Sequence, residues 1–249
     1  MDKALDILAF APHPDDVELG CGGSLIVAAD QGWRVAVADL TEGEMSSRGT
    51  PDQRQQEKKK AAELLGLCAR HSVGLPDSLI GMDPDHRLPV IQLIRQTRPR
   101  IVLAPYWEDR HPDHVRASNL VREACFFAGV GKVGDGPPYR PERLFYYLLR
   151  TPFSPSFVMD VSSVWQRRMA AVRAYASQFQ ANDSSVETAL SRPDFLRALE
   201  ARAIGFGAMI RAAYGEPFLS AEPLAAQEFP GIRDAEHLPS GLPVFRLPG

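Results

Sequence analysis

The 249-residue chain has only three cysteines, Cys21, Cys68 and Cys125, with no CxxC pair among them. An odd, scattered set excludes a disulfide framework and fits a reducing compartment, so a cytoplasmic location is expected. No apolar run reaches the ~18 residues that a membrane span requires. The stretch from Met1 to Asp6 lacks a basic segment leading into a long apolar core, so no secretion signal is expected. Charge of one sign is lacking as well. The net charge is -3 and the pI is about 6.1, which argues against a nucleic-acid-binding surface. Two common catalytic signatures are missing: there is no GxSxG elbow and no HExxH helix.

What is present is the pattern of an α/β fold. Ile7 to Ala11, Val35 to Leu40 and Ile101 to Pro105 read as buried strands, and a further strand is expected near His71 to Leu75. Helical patterns fall between them, over Gly22–Gln31, Asp52–Leu65 and Asp85–Thr97, with Pro89 expected in a first turn. Strict alternation predicts a Rossmann-like, mostly parallel sheet with helices on both faces. Further on, Arg143–Arg150 and Ser156–Val161 read as strands, and Val164–Ser177 and Asp194–Ala213 as helices. With no repeat and no clear linker, a single domain over 1–249 is expected, ending in an irregular proline-rich tail from about 217.

Chemistry is concentrated in two clusters, Ala11-Pro12-His13-Pro14-Asp15-Asp16 and Arg110-His111-Pro112-Asp113-His114. Each follows a predicted strand and precedes a predicted helix. Ligands of open parallel sheets bind beyond the carboxyl ends of the strands, so residues about 100 apart in sequence can converge there. Two imidazoles and a carboxylate from such clusters can hold one divalent zinc and leave a position open for water. Either cluster alone could be a turn with an aspartate capping the next helix. Two His-Pro-Asp clusters, both at strand ends, favour a metal site.

Rival readings are weaker. Gly20, Gly22 and Gly23, with Asp39 further on, suggest a dinucleotide-binding turn, but Leu25 stands where the third glycine belongs. The glycines are better read as allowing close helix–sheet packing. Cys21 could be a nucleophile near His13, yet a cysteine at a buried helix start is more often packed. His71, His86 and His237 are isolated, and Glu57 to Lys60 reads as a solvated helix face. A non-catalytic metal- or sugar-binding protein would not need Asp15, which is surplus to ligation.

The two clusters together resemble the LmbE-like, or PIG-L, family of zinc-dependent N-deacetylases. Further segments are similar to its bacillithiol-biosynthesis branch: Asp39 to Thr50, Arg54, Pro105 to His114, Pro155-Ser156-Phe157, Tyr175 to Phe179 and Tyr214-Gly215-Glu216. Pro217 departs from that pattern, and the tail after Glu222 has no counterpart. The resemblance implies a hydrolase that takes acetate from N-acetylglucosaminyl-malate. Other N-acetylglucosamine derivatives, a mycothiol-type glycoside or a chitooligosaccharide, are the alternative substrates. It implies one zinc per chain on His13, Asp16 and His114, with Asp15 moving protons. His111 is either the oxyanion donor or the acid for the leaving nitrogen, with Asp113 orienting its ring. Arg54, Arg110 and Ser47 are the candidate substrate-binding residues. The implied partner is a small amino-sugar conjugate, with no nucleic acid and no membrane, and family members often form hexamers.

Overall fold

The computed structural model describes residues 4–179 and 186–224. The first three parallel strands of the core are β1 (Ile7–Ala11), β2 (Val35–Asp39) and β3 (Ala69–Ser72), the last a little earlier than expected. Next come β4 (Ile101–Pro105) and β5 (Arg143–Tyr147), followed by β6 (Phe157–Asp160) and β7 (Gly215–Ser220). The sheet order is β3-β2-β1-β4-β5-β7-β6, with β7 antiparallel to both of its neighbours. Every residue of β1 and β2 is buried, as an unbroken apolar run covered on both faces requires.

The helices are α1 (Asp16–Gly20), α2 (Gly22–Asp30), α3 (Pro51–Leu65), α4 (Pro84–Thr97), α5 (Pro112–Ala128), α6 (Trp165–Arg173), α7 (Ala176–Phe179) and α8 (Phe195–Met209). Local chemistry sets their ends. Thr50 and Gln53 form a reciprocal capping box on α3, and Gly66 closes it in the left-handed conformation. Starting α4 at Pro84 puts Pro89 beyond the first turn, inside the helix. Leu25, Ile26 and Val172 fill the core on one face of the sheet, and Ile91, Ile94 and Val121 fill it on the other. A β-carbon on Gly20 would overlap the Tyr147 ring, which bears out a packing role for that glycine.

The expected tail start at about 217 is corrected, because residues 217–220 belong to β7 in the interior of the sheet. Pro217 is tolerated because it pairs only with Val158 of β6; the β5 ladder begins at Phe218. The chain beyond 224, with His237, lies outside the described residues. Register aligns Ala11 with Asp39 and Ile7 with Ile101, so the loops after β1, β2 and β4 leave from one edge. The loops after β3 and β5 leave from it too.

Candidate metal centre and active site

The first cluster turns sharply as β1 ends. Asp15 adopts φ 111°, a left-handed conformation rare for a side chain with a β-carbon, and Asp16 opens α1. The second cluster opens α5. His111 is its N-cap, with Nδ1 accepting from the Asp113 N–H at 3.2 Å, and Pro112 fits the first helical position. His114, one turn in, points back toward the first cluster.

These turns bring His13, Asp16 and His114 together, with ligand atoms all within 4.8 Å of one another. Asp16 Oδ2 lies 3.2 Å from His13 Nδ1 and 3.5 Å from His114 Nε2. The other nitrogen of each ring is braced by carboxylates. His13 Nε2 is 3.2 Å from both Asp113 and Asp77, and His114 Nδ1 is 3.2 Å from Asp109. Carboxylates behind metal-binding imidazoles fix ring orientation and raise ligand basicity. The set His13, His111 and Asp113 also has its ligand atoms within 4.8 Å of one another. There, however, His111 Nδ1 is taken up by the helix cap, and the Asp113 carboxylate accepts from the Ser78 N–H at 2.9 Å. The first set therefore fits a divalent ion better.

Electrostatics agree. Burial would lower the His13 pKa, but hydrogen bonds with Asp113, Asp16 and Asp77 outweigh it and push the value up to about 12. Burial likewise opposes the charge of His114, yet Asp16 and Asp109 raise it to about 9. Burial works against the Asp16 charge, and the two imidazoles still hold its carboxyl well below the usual range. The surroundings favour positive charge between these groups, as a cation site must.

Asp15 sits beside this set, 5% exposed. Burial raises its pKa to about 7, with Asp16 adding to the shift and Arg54 opposing it. The Arg54 side chain, from α3, donates to the Pro14 carbonyl at 3.1 Å and lies 3.8 Å from Asp15. It reaches them across Gly43, whose φ of 68° and contact with the guanidinium leave no room for a β-carbon. Together these residues line a cavity of about 220 Å³.

Several expectations change in detail. The expectation that Asp113 orients His111 is corrected, because its carboxylate contacts His13 instead, with Oδ2 at 3.2 Å from Nε2. Its backbone N–H, not its side chain, holds the His111 ring. Arg110 and Ser47 are exposed and do not line the cavity, whereas Met45 and Ser46 do. Sequence reasoning missed Asp77, Ser78, Asp109, Arg150 and Gln178. Asp77, Ser78 and Arg150 follow strands at the same edge, so the rule that singled out the two clusters could have found them. The rival readings close. Cys21 is fully buried, and burial pushes its thiol well up. Asp39 is buried and held by Arg70 and Lys58, so it cannot serve a ribose.

With this geometry in view, comparisons place the chain among known proteins. The family model "PIG-L: GlcNAc-PI de-N-acetylase" matches residues 8–125. A diacetylchitobiose deacetylase of Thermococcus kodakarensis is 33% identical over 193 residues, 70% of each chain. An N-acetyl-alpha-D-glucosaminyl L-malate deacetylase 2 of Bacillus cereus, named as probable, is 26% identical over 70% of this chain and 84% of its own. These figures do not favour the bacillithiol-type branch expected from the motifs. The crystal structure of a conserved protein from Thermus thermophilus superposes with a TM-score of 0.83 at 42% identity, covering 90% of this chain and 98% of that one. The shared α/β fold, the paired His-Pro-Asp clusters at its carboxyl edge and these identities have one reading: the chain belongs to the PIG-L family of de-N-acetylases.

Proposed function

We propose that this protein is a metal-dependent amidohydrolase that removes acetate from an N-acetylglucosamine conjugate. The observation that carries the reading is the His13, Asp16 and His114 set beside a buried, ionisable Asp15 in one cavity. Zinc held there by three protein ligands would polarise the amide carbonyl and acidify a water, leaving a coordination position open.

The rest is done by side chains. Asp15 accepts the proton of the attacking water and passes it to the leaving amine nitrogen, a task suited to a pKa near neutrality. Arg54 keeps Asp15 in place and favours its ionised form. The His111 Nδ1 accepts from a backbone N–H, so the proton of the neutral ring is on Nε2. Burial lowers the His111 pKa and favours the neutral ring. A neutral Nε2–H is a donor for the oxyanion of the tetrahedral intermediate and a poor acid, so His111 takes the first of its two candidate roles.

The substrate reading rests on the motif resemblance and not on the identities: a malate-linked N-acetylglucosamine, with a chitooligosaccharide as the alternative. The catalytic cavity shares Asp16, Leu19 and Arg150 with a second one of about 220 Å³, which gives room for a second unit. The test is acetate release from N-acetylglucosaminyl-malate, N,N'-diacetylchitobiose, N-acetylglucosaminyl-inositol and free N-acetylglucosamine. The malate conjugate should give the highest kcat/KM. A higher value on diacetylchitobiose would move the assignment to the alternative, and no acetate from any of the four would overturn the activity.

A further inference from the structure

The second cavity is walled by Leu19, Leu149, Phe195 and two arginines, with Asp16 at the end it shares with the catalytic cavity. The arginines differ in their commitments. Arg202 donates from Nη1 to the Leu149 carbonyl and from Nη2 to the Leu19 carbonyl at 2.9 Å, so it holds the wall together. Arg150, just past β5, is anchored by its backbone, whose N–H donates to Asp109 at 3.1 Å. Its guanidinium lies 5.3 Å from the Phe195 ring centroid and has no hydrogen-bond acceptor among the described residues. It lines both cavities. A half-buried guanidinium on an aromatic face, with no acceptor among the described residues, is oriented to bind a planar anion.

We infer that Arg150 determines specificity, binding a carboxylate on the second unit of the substrate in the cavity beyond Leu19 while the N-acetyl group lies at Asp15. This rests on the deacetylase reading and narrows it to acidic conjugates. The other arginines are less suited. Arg54 is bound to the Pro14 carbonyl and Asp15, and Arg110 is exposed and lines neither cavity. Apolar neighbours such as Leu19 and Leu149 strengthen a charge pair by lowering the local dielectric.

The test compares N-acetylglucosaminyl-malate with its dimethyl ester, which has nearly the same shape and no charge. The readout is the acid-to-ester ratio of kcat/KM in the parent, Arg150→Ala, Arg150→Lys and Arg150→Glu. Loss of a charge-assisted contact should lower the ratio by about 10- to 100-fold in Arg150→Ala. Arg150→Glu should lower it further. Arg150→Lys, which keeps charge and bulk, should be intermediate and guards against a folding failure. An unchanged ratio in Arg150→Ala and Arg150→Glu overturns the proposal.

A binding arm separates this failure from failure of the activity. Calorimetry measures the affinity of parent and variants for glucosaminyl-malate and its dimethyl ester. If the parent releases no acetate from any of the four substrates named above, the deacetylase reading falls, and the binding ratio decides on Arg150 alone. An acid preference that Arg150→Ala abolishes upholds the carboxylate site, and equal affinities refute it.

Discussion

Asp15 is held at φ 111°, and a non-glycine residue in so sparsely populated a region carries a cost of roughly 1–3 kcal/mol. The turn places its carboxylate in the cavity while the next residue, Asp16, faces His13 and His114. Asp15→Asn keeps the shape and removes the base, so metal content should stay at the parent value. Turnover should fall by about 100- to 10,000-fold. A variant within a few-fold of the parent would move the role elsewhere. The pH dependence has a definite sign. The proposed base works ionised, and burial raises the Asp15 pKa to about 7, so kcat/KM should fall as pH drops through that region. A cation held between His13, Asp16 and His114 would stabilise the carboxylate and shift this limb downward. Arg54 is a separate case. Because it braces Asp15, Arg54→Ala should lower kcat/KM on charged and neutral substrates alike, by about tenfold or more for a charge-assisted contact. A loss confined to the malate conjugate, measured against its dimethyl ester, would return Arg54 to the substrate-binding role expected from sequence.

Among the elements, β7 is the least expected and one of the most consequential. Its Glu216 is 3% exposed and accepts from the N–H groups of Gly23 and Ser24 and from the Ser24 hydroxyl, at 2.7 to 2.9 Å. The strand thus caps α2, and Arg168 of α6 lies 3.4 Å from the same carboxylate. Removing one partner of such a buried pair leaves the other uncompensated, at a cost of about 3–5 kcal/mol. Glu216→Ala should lower unfolding free energy by that order in urea titrations, and Glu216→Gln, which keeps an acceptor, by less. Equal midpoints for parent and Glu216→Ala would show that water replaces the cap. The parallel half of the fold was legible because β1, β2 and β4 are unbroken apolar runs. β7 was not, since prolines at 217 and 223 mask its periodicity and its partners lie about 60 and 70 residues earlier. The ligand set was legible because each cluster is contiguous. Asp77 and Arg150 fall within reach of the same strand-end rule but stand alone, with no neighbouring ligand to mark them out, and Asp109 acquires meaning only when the fold sets it behind His114.

At the scale of the whole molecule, the carboxyl edge gathers Asp15, Asp16, Asp77, Asp109 and Asp113 around His13 and His114. Positive charge there is part of what stabilises the fold, whether supplied by protons or by a metal ion. His114 shows the proton side. Its pKa is raised from 6.5 to about 9, so protonation contributes fully below 6.5 and is lost as pH rises through about 9. A zinc ion needs the neutral rings and competes with those protons. Zinc added to chelator-treated protein should therefore raise the melting temperature, and more at pH 8 than at pH 6. At a free concentration of 100 times Kd the gain is about 2.7 kcal/mol. For a chain of this length that corresponds to about 5–10 °C. His13→Ala and His114→Ala should abolish the shift, whereas Arg150→Ala should retain it, since Arg150 is not a ligand. Scanning fluorimetry of the four proteins at both pH values decides the matter. A shift of equal size in His13→Ala or His114→Ala would place the metal elsewhere, and with it the chemistry assigned to this edge.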